Sequence, residues 1–335
     1  MTTDTTFDYP RTGIVLPEYA DKAGDWLVDY AAEAEDSGFD SVWVGEGWGY
    51  GPFPLLARIA ERTDCALGTC IANAFSRSPM ALAGNALSLH EATDGQFLLG
   101  IGSSTPLVVE NYHGQEFERP LRRIRETIEI LDLALSGERI DYDGEIFDLS
   151  GFALNHADGQ EVPVLNAALG TTNIAMTIDY ADGLLPHLMP LPAIEDAIDE
   201  ARDRANTDRD LHVSASVPTA VSDDPDEARE ILARHVAYYV GSTDYYNGVV
   251  ADHGFPETAE AIQDAWRGGD KAGAAEAVTP ELQDALGIAG TPEHARERVG
   301  DLIDGVVDTA LISFPQGATD EMFESTLEAL PPEAE

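Results

Sequence analysis

The stretch Asp25-Trp26-Leu27-Val28-Asp29-Tyr30-Ala31-Ala32-Glu33-Ala34-Glu35-Asp36-Ser37-Gly38-Phe39-Asp40-Ser41-Val42-Trp43-Val44 holds one complete folding unit. Trp26, Leu27, Tyr30, Ala31 and Ala34 recur at helical spacing, which predicts an amphipathic helix with one apolar face. Gly38 supplies the stop, because glycine tolerates the left-handed backbone that ends many helices. Ser41-Val42-Trp43-Val44 then runs on without polar alternation, as a strand covered on both faces does. The far end of the chain repeats the unit. Val299, Leu302 and Ile303 share a helix face, Gly305 closes it, and Thr309-Ala310-Leu311-Ile312-Ser313 follows.

Six further apolar runs lie between these two: 13–16, 66–71, 97–101, 164–167, 183–185 and 213–217. Eight apolar strands separated by helices, with no Pro/Gly-rich linker anywhere, predict a (β/α)8 TIM barrel of class α/β spanning 1–335 as a single domain. A doubly wound sheet is the alternative with the same elements. Two stretches exceed the repeat. Residues 137–162 alternate polar and apolar and predict a hairpin turning at Asp143-Gly144. Residues 241–290 predict an added, mostly helical excursion that caps the barrel mouth or builds a dimer surface.

The 335 residues include 62 Asp+Glu and 19 Lys+Arg, for a formal charge of -43. Nucleic acid and anionic membranes are excluded as partners by that charge, since repulsion acts before contact. The acidic excess resembles that of proteins from salt-loving archaea, which predicts a halophilic protein that needs salt. No basic start precedes an apolar run, and no stretch approaches the roughly 20 apolar residues of a spanning helix, so a cytoplasmic location is expected. Cys65 and Cys70 lie in one apparent strand on opposite faces, which predicts reduced thiols.

Sites in such barrels lie at the C-terminal strand ends. After the second strand, Gly45-Glu46-Gly47-Trp48-Gly49-Tyr50-Gly51 offers backbone room, ring surface and an acceptor in Glu46, or else a plain flexible loop. After the third, Asn73 suits a heterocycle edge and Arg77 an anion or carboxylate; equally, Asn73 caps a turn and Arg77 bridges surface acids. Gly100-Ile101-Gly102-Ser103-Ser104 lacks the third glycine of a dinucleotide fingerprint. Gly170-Thr171-Thr172 opens a helix whose free N–H groups suit a phosphate, with simple capping by either threonine as the alternative. No H-E-x-x-H, paired-cysteine spacing or G-x-S-x-G elbow occurs, so no metal, zinc or serine-hydrolase chemistry is expected. The residues by themselves describe a barrel enzyme for an anionic, ring-containing ligand.

Taken together, 35–44, Gly68-Thr69-Cys70-Ile71-Ala72-Asn73, Ser76-Arg77-Ser78-Pro79, Leu99-Gly100-Ile101-Gly102, Ala167-Ala168-Leu169-Gly170 and Ala181-Asp182-Gly183 resemble the bacterial luciferase-like flavin and deazaflavin oxidoreductases. The runs Val278-Thr279-Pro280-Glu281-Leu282 and Gly290-Thr291-Pro292-Glu293 resemble the methylenetetrahydromethanopterin reductase branch, which uses coenzyme F420. The resemblance implies a homodimeric barrel, a cis peptide after the third strand matched here by Cys70-Ile71, and a cofactor ring at the strand ends. It also implies that Glu46 and Gly47 flank that ring, that Ala72 and Asn73 line it with Gly102 and Ser103 nearby, and that Gly170, Thr171 and Thr172 face its phosphate.

Departures accompany the match. Many F420 enzymes of this family carry His where Gly47 stands, and the reductase branch has acids where this chain has Val15 and Thr105. Cofactor binding is therefore better supported than the reductase's own reaction. Glu46, Glu110 and Glu18 are the candidate proton donors. The function implied is an F420-dependent oxidoreductase passing hydride to or from a small organic substrate. The alternatives are an FMN-dependent luciferase-like monooxygenase and a non-catalytic deazaflavin-binding protein.

Overall fold

The computed structural model describes residues 7–157 and 161–331. In chain order the strands are β1 (Thr12–Val15), β2 (Ser41–Val44), β3 (Ala66–Thr69), β4 (Ala72–Asn73), β5 (Phe97–Gly102), β6 (Ile140–Asp143), β7 (Asp148–Phe152), β8 (Val164–Asn166), β9 (Gly183–Leu184), β10 (His212–Val221), β11 (Ile288–Gly290) and β12 (Thr309–Ser313). β1 pairs with β2, β2 with β3, β3 with β5, β5 with β8, β8 with β9, β9 with β10, β10 with β12, and β12 returns to β1. Every pairing is parallel, so eight strands close the (β/α)8 TIM barrel.

The helix Gly24–Asp36 buries Leu27, Val28, Tyr30, Ala31 and Ala34 against the sheet, and Gly38 beyond it adopts φ 102°. The barrel interior is filled by Val15, Trp43, Ala66, Leu98, Leu165, Leu185 and Leu311. Trp43 sets the local composition. Its indole N–H donates to Ser41 Oγ at 2.8 Å, and a Cβ at Gly13 or Gly68 would collide with its ring. Small neighbours are what let one large ring occupy the middle of the barrel.

Three expectations are corrected in detail. The third apolar run is not one strand: it stops at Thr69, passes through the cis Cys70–Ile71 peptide that the resemblance implies, and is followed by β4 alongside β5. Cys65 and Cys70 thus flank β3 instead of lying in it, and both are free thiols. The hairpin turns over the four residues 144–147, starting at Gly144 and extending past the expected Asp143-Gly144 pair, because the Glu126 carboxylate accepts the N–H groups of Glu145, Ile146 and Phe147. The excursion 241–290 is mostly helical, as expected, and its one strand, β11, adds to the end of β10. Residues 158–160 of the 137–162 stretch lie outside the described residues. Among the described residues no helix is long and apolar enough to cross a membrane.

Candidate active site

A cavity of about 260 Å³ opens at the C-terminal strand ends. Val15, Leu16, Glu18 and Tyr19 enter it from the end of β1, and Glu46, Gly47 and Trp48 from the loop after β2. Cys70 and Ile71 form one wall, and Gly102 to Thr105 continue from β5. His187 and Ser216 come from the β9 and β10 side, and the helix Pro225–Ser242 contributes His235, Tyr238 and Tyr239. Tyr245 and Tyr246, at the start of the helical excursion, complete the mouth.

The wall at Cys70–Ile71 is braced by the neighbouring strand ends. Cys70 donates its N–H to Val44 O at 3.0 Å, and Ile71 O accepts the Glu46 N–H at 3.1 Å. Glu46 Oε2 accepts the Asn73 N–H at 2.8 Å and pairs with Arg77, whose guanidinium also lies over the Phe53 ring. Arg77 and Glu46 expose only 23% and 10% of their side chains, so this is an enclosed ion pair and not a surface one. Glu46 is an acceptor holding two loops together. Asn73 Oδ1 accepts the Phe75 N–H at 2.8 Å, which is the turn-capping alternative, while its buried Nδ2 has no partner among the described residues. Ala72 and Asn73 are fully buried behind the wall.

Glu18 is a different kind of carboxyl. It makes no hydrogen bond or ion pair among the described residues, and it lies against the backbone of Gly45 and Gly47. A Cβ at Gly45 would overlap Glu18 Oε1, and one at Gly47 would stand 2.7 Å from Oε2. The two glycines of the loop thus make room for this side chain. Burial without a compensating donor pushes its pKa up to about 7.

The inner wall is aromatic and uncharged. Tyr19 and Tyr239 share a hydroxyl–hydroxyl hydrogen bond, and the rings of His187, His235 and Tyr246 stand within 5.0 to 6.3 Å of Tyr239 or of each other. His187 Nδ1 lies 3.2 Å from Ser216 Oγ, and the same serine hydrogen-bonds Cys70. His235 Nδ1 accepts the Gln316 N–H at 2.9 Å. Burial lowers His187 to about 4 and His235 to about 3, so both are neutral imidazoles at pH 7. Burial, reinforced by the Glu18 charge, pushes the Cys70 thiol up to about 12. Of these residues, Tyr19, His187, His235, Tyr239 and Tyr246 were not singled out from sequence, whereas Cys70 was. His235, Tyr239 and Ser242, at i, i+4 and i+7, carried a readable signal, a polar and aromatic stripe on one helix face.

The helix Thr171–Tyr180 begins at the cavity margin, with Leu169 and Asn173 lining the space. Gly170 is its N-cap, so neither Thr171 nor Thr172 caps it; Thr171 Oγ1 donates to Glu200 at 3.4 Å. A Cβ at Gly170 would meet nothing within 4 Å. The Tyr245 phenol oxygen takes the N–H groups of Leu169 and Gly170. Gly102 and Ser103 line the cavity, as do Val15 and Thr105. Glu110 is a correction: it sits exposed on the π-helical turn Leu107–Tyr112, away from the cavity, because that turn directs Val109 inward instead.

The profile of the family described as luciferase-like monooxygenase matches residues 12–309. The 5,10-methylenetetrahydromethanopterin reductase of Archaeoglobus fulgidus is 30% identical over 299 residues, covering 86% of this chain and 89% of that protein. The protein of the same name from Methanolobus tindarius is 27% identical, covering 88% and 92%. The solved structure of the coenzyme F420-dependent tetrahydromethanopterin reductase from Methanopyrus kandleri superimposes with a TM-score of 0.78 at 23% identity, over 96% of this chain and 98% of that one. The match runs from β1 to the first residue of β12 and so takes in nearly all of the residues that line the cavity: the chain belongs to the luciferase-like monooxygenase family.

Proposed function

We propose that this protein is a coenzyme F420-dependent oxidoreductase that passes hydride between the deazaflavin and a small organic substrate. The observation that carries the reading is the pairing, in one cavity, of a strand-end wall of backbone and apolar side chains with a helix N-terminus at its margin. That pairing suits a flat ring with a phosphate on its tail. The residues fit the group: Gly102 packs so closely on Ile71 and Ala167 that a Cβ there would meet them at 3.1 to 3.3 Å, whereas the position at Gly170 is open. The likeness to F420-dependent reductases supports the same cofactor.

When bound, F420 supplies the hydride chemistry. The protein's own work is then positional and protic. The Glu46–Arg77 pair holds the wall, the free N–H groups of the helix Thr171–Tyr180 hold the phosphate, and the tyrosine-rich mouth excludes water. Glu18 exchanges the proton that accompanies the hydride, since a carboxyl poised near 7 can both give and take one. No metal has a part in this scheme. We extend the reading to a cytoplasmic, salt-adapted homodimer, on the strength of the -43 charge and of Phe152, exposed to 78% on the hairpin.

Titration of the purified protein with F420 and separately with FMN in molar KCl, followed by tryptophan fluorescence, tests the cofactor. Micromolar or tighter F420 binding with weaker FMN binding is expected. The reverse order, with oxygen uptake on reduced FMN, would replace this reading by an FMN-dependent monooxygenase. Tight F420 binding without turnover on any acceptor would make the protein a non-catalytic carrier. Sedimentation equilibrium is expected to return twice the chain mass.

A further inference from the structure

Cations are scarce in this chain, yet Arg119, Arg122, Arg123 and Arg125 stand together at the start of the helix Pro120–Leu135. Arg119 and Arg122 pair with Glu145, and Arg125 with Glu129. Arg123 is the exception: it makes no ion pair among the described residues, and its buried Nε has no hydrogen-bond partner among them. Its guanidinium lies instead over two aromatic rings, 4.6 Å from the centre of Phe75 and 5.3 Å from that of Phe147. Burial lowers its pKa from the ordinary value, against the opposing charge of Glu126. Ring faces are thus what meets a cation drawn out of water, and a planar guanidinium suits them.

The two rings come from distant parts of the chain. Phe147 ends the hairpin turn, which Glu126 ties to the same helix through three N–H groups. Gly144 opens that turn, where a Cβ would stand 2.5 Å from Glu126 Oε2. Phe75 belongs to the segment that follows the Cys70–Ile71 wall, and its buried ring also stacks on Phe117. That segment holds only the two-residue strand β4, so few backbone pairings fix it. On the barrel side Asn73 donates its N–H to Glu46, Ala74 to Gly102 O, and Phe75 to Asn73 Oδ1. On the outer side its large contact is the Phe75 ring. Neither Arg123 nor Phe147 lines the cavity.

We propose that Arg123 is a positioning residue and that, by sharing its guanidinium between Phe147 and Phe75, it makes the hairpin the outer brace of residues 72–76 behind the cavity wall. The effect on a ligand rests on the F420 reading, whereas the brace itself belongs to the cofactor-free protein. Removing either ring face or the cation leaves the segment anchored from the barrel side alone, so it opens locally more often while the rest of the fold is unmoved.

Hydrogen exchange read by mass spectrometry on the cofactor-free protein in molar KCl tests this in Phe147→Leu, Phe147→Tyr and Arg123→Met. Residues 72–78, the hairpin 140–152 and, as a remote reference, the helix Pro292–Gly305 are followed. Phe147→Leu and Arg123→Met are expected to speed exchange in 72–78 by about 10-fold with Pro292–Gly305 unchanged. Phe147→Tyr keeps the ring face and is expected to stay within about 2-fold of the wild type. Fluorescence titration with F420 is expected to follow the same order, with Kd about 10-fold weaker in the first two variants and restored in Phe147→Tyr. Faster exchange in the hairpin alone, or equally in all three stretches, overturns the proposal, because the contact then serves the hairpin or overall stability. A Phe147→Leu variant that matches Phe147→Tyr overturns it as well, and so does faster exchange in 72–78 with an unchanged Kd. Should Arg123→Met not fold, the comparison of Leu with Tyr at position 147 decides by itself. Failure of the wild type to bind F420 overturns the cofactor reading alone, since exchange in 72–78 still decides the brace.

Discussion

Glu18 shows how a residue's chemistry is set by what surrounds it. Its carboxyl finds no donor among the described residues, whereas Glu46, less than thirty residues on, has Arg77 and an N–H. Burial raises the folded pKa of Glu18 above its ordinary 4.5 to about 7. The folded state therefore binds this proton more tightly than the unfolded chain does. The linked stability is present below pH 4.5 and is lost as pH rises through about 7. Glu18→Gln removes the ionisation and keeps the shape. Two results are expected: an unfolding midpoint that no longer declines between pH 5 and 7.5, and turnover lowered by about 10²- to 10⁴-fold with its pH dependence near 7 abolished. An unchanged rate profile would discard Glu18 as the proton-exchanging group. The identity of this acid was readable in the sequence, but its isolation was not. Isolation depends on Gly45 and Gly47 arriving from another strand end and bringing no side chain to pair with it.

At the scale of elements, the barrel strands were legible because each is a short apolar run between amphipathic helices, and that pattern needs no knowledge of partners. What escaped were features made by contacts across the chain. The break of β3 after Thr69 was expected only through the cis bond that the resemblance implies at Cys70–Ile71; the apolar run by itself reads straight through it, and the Glu46 N–H that takes the Ile71 carbonyl there comes from another strand end. The hairpin turn is set by Glu126 on the helix Pro120–Leu135, where burial opposes the charge but three N–H bonds outweigh it and hold the carboxylate pKa low. His187, His235 and Tyr239 meet only when the barrel closes, since they come from different elements. The N-terminus of the helix Thr171–Tyr180 carries a consequence of its own. Tyr245 takes two N–H groups beside the position expected for the cofactor phosphate. Tyr245→Phe frees both donors, so the Kd for F420 is expected to fall by about 2- to 10-fold in a fluorescence titration. Weaker binding in the variant would mean that the phenol assists the ligand instead of competing with it.

For the molecule as a whole, the decisive quantity is charge. With 62 acids and 19 Lys+Arg, surface ion pairs exhaust the cations long before the carboxylates. Arg202 alone is shared among Asp199, Asp208 and Asp210, and Glu145 draws two arginines. The remaining acids repel one another across a surface whose fold burial has otherwise made sound. Repulsion of this kind acts over the Debye length, about 10 Å at 0.1 M salt and about 3 Å at 1 M, so it fades as salt rises while the partly buried Glu46–Arg77 pair is less affected. Scanning calorimetry from 0.05 M to 3 M KCl is therefore expected to show Tm climbing by on the order of 10 °C, most of it below 1 M. A neutral osmolyte at matched osmolality separates screening from solvent exclusion. If sucrose raises Tm as far as KCl does, or if Tm is indifferent to KCl, charge repulsion is not what limits this fold. If the rise belongs to KCl alone, the acidic surface is an adaptation to salt, and cofactor titrations made in dilute buffer would be reporting on a partly unfolded protein.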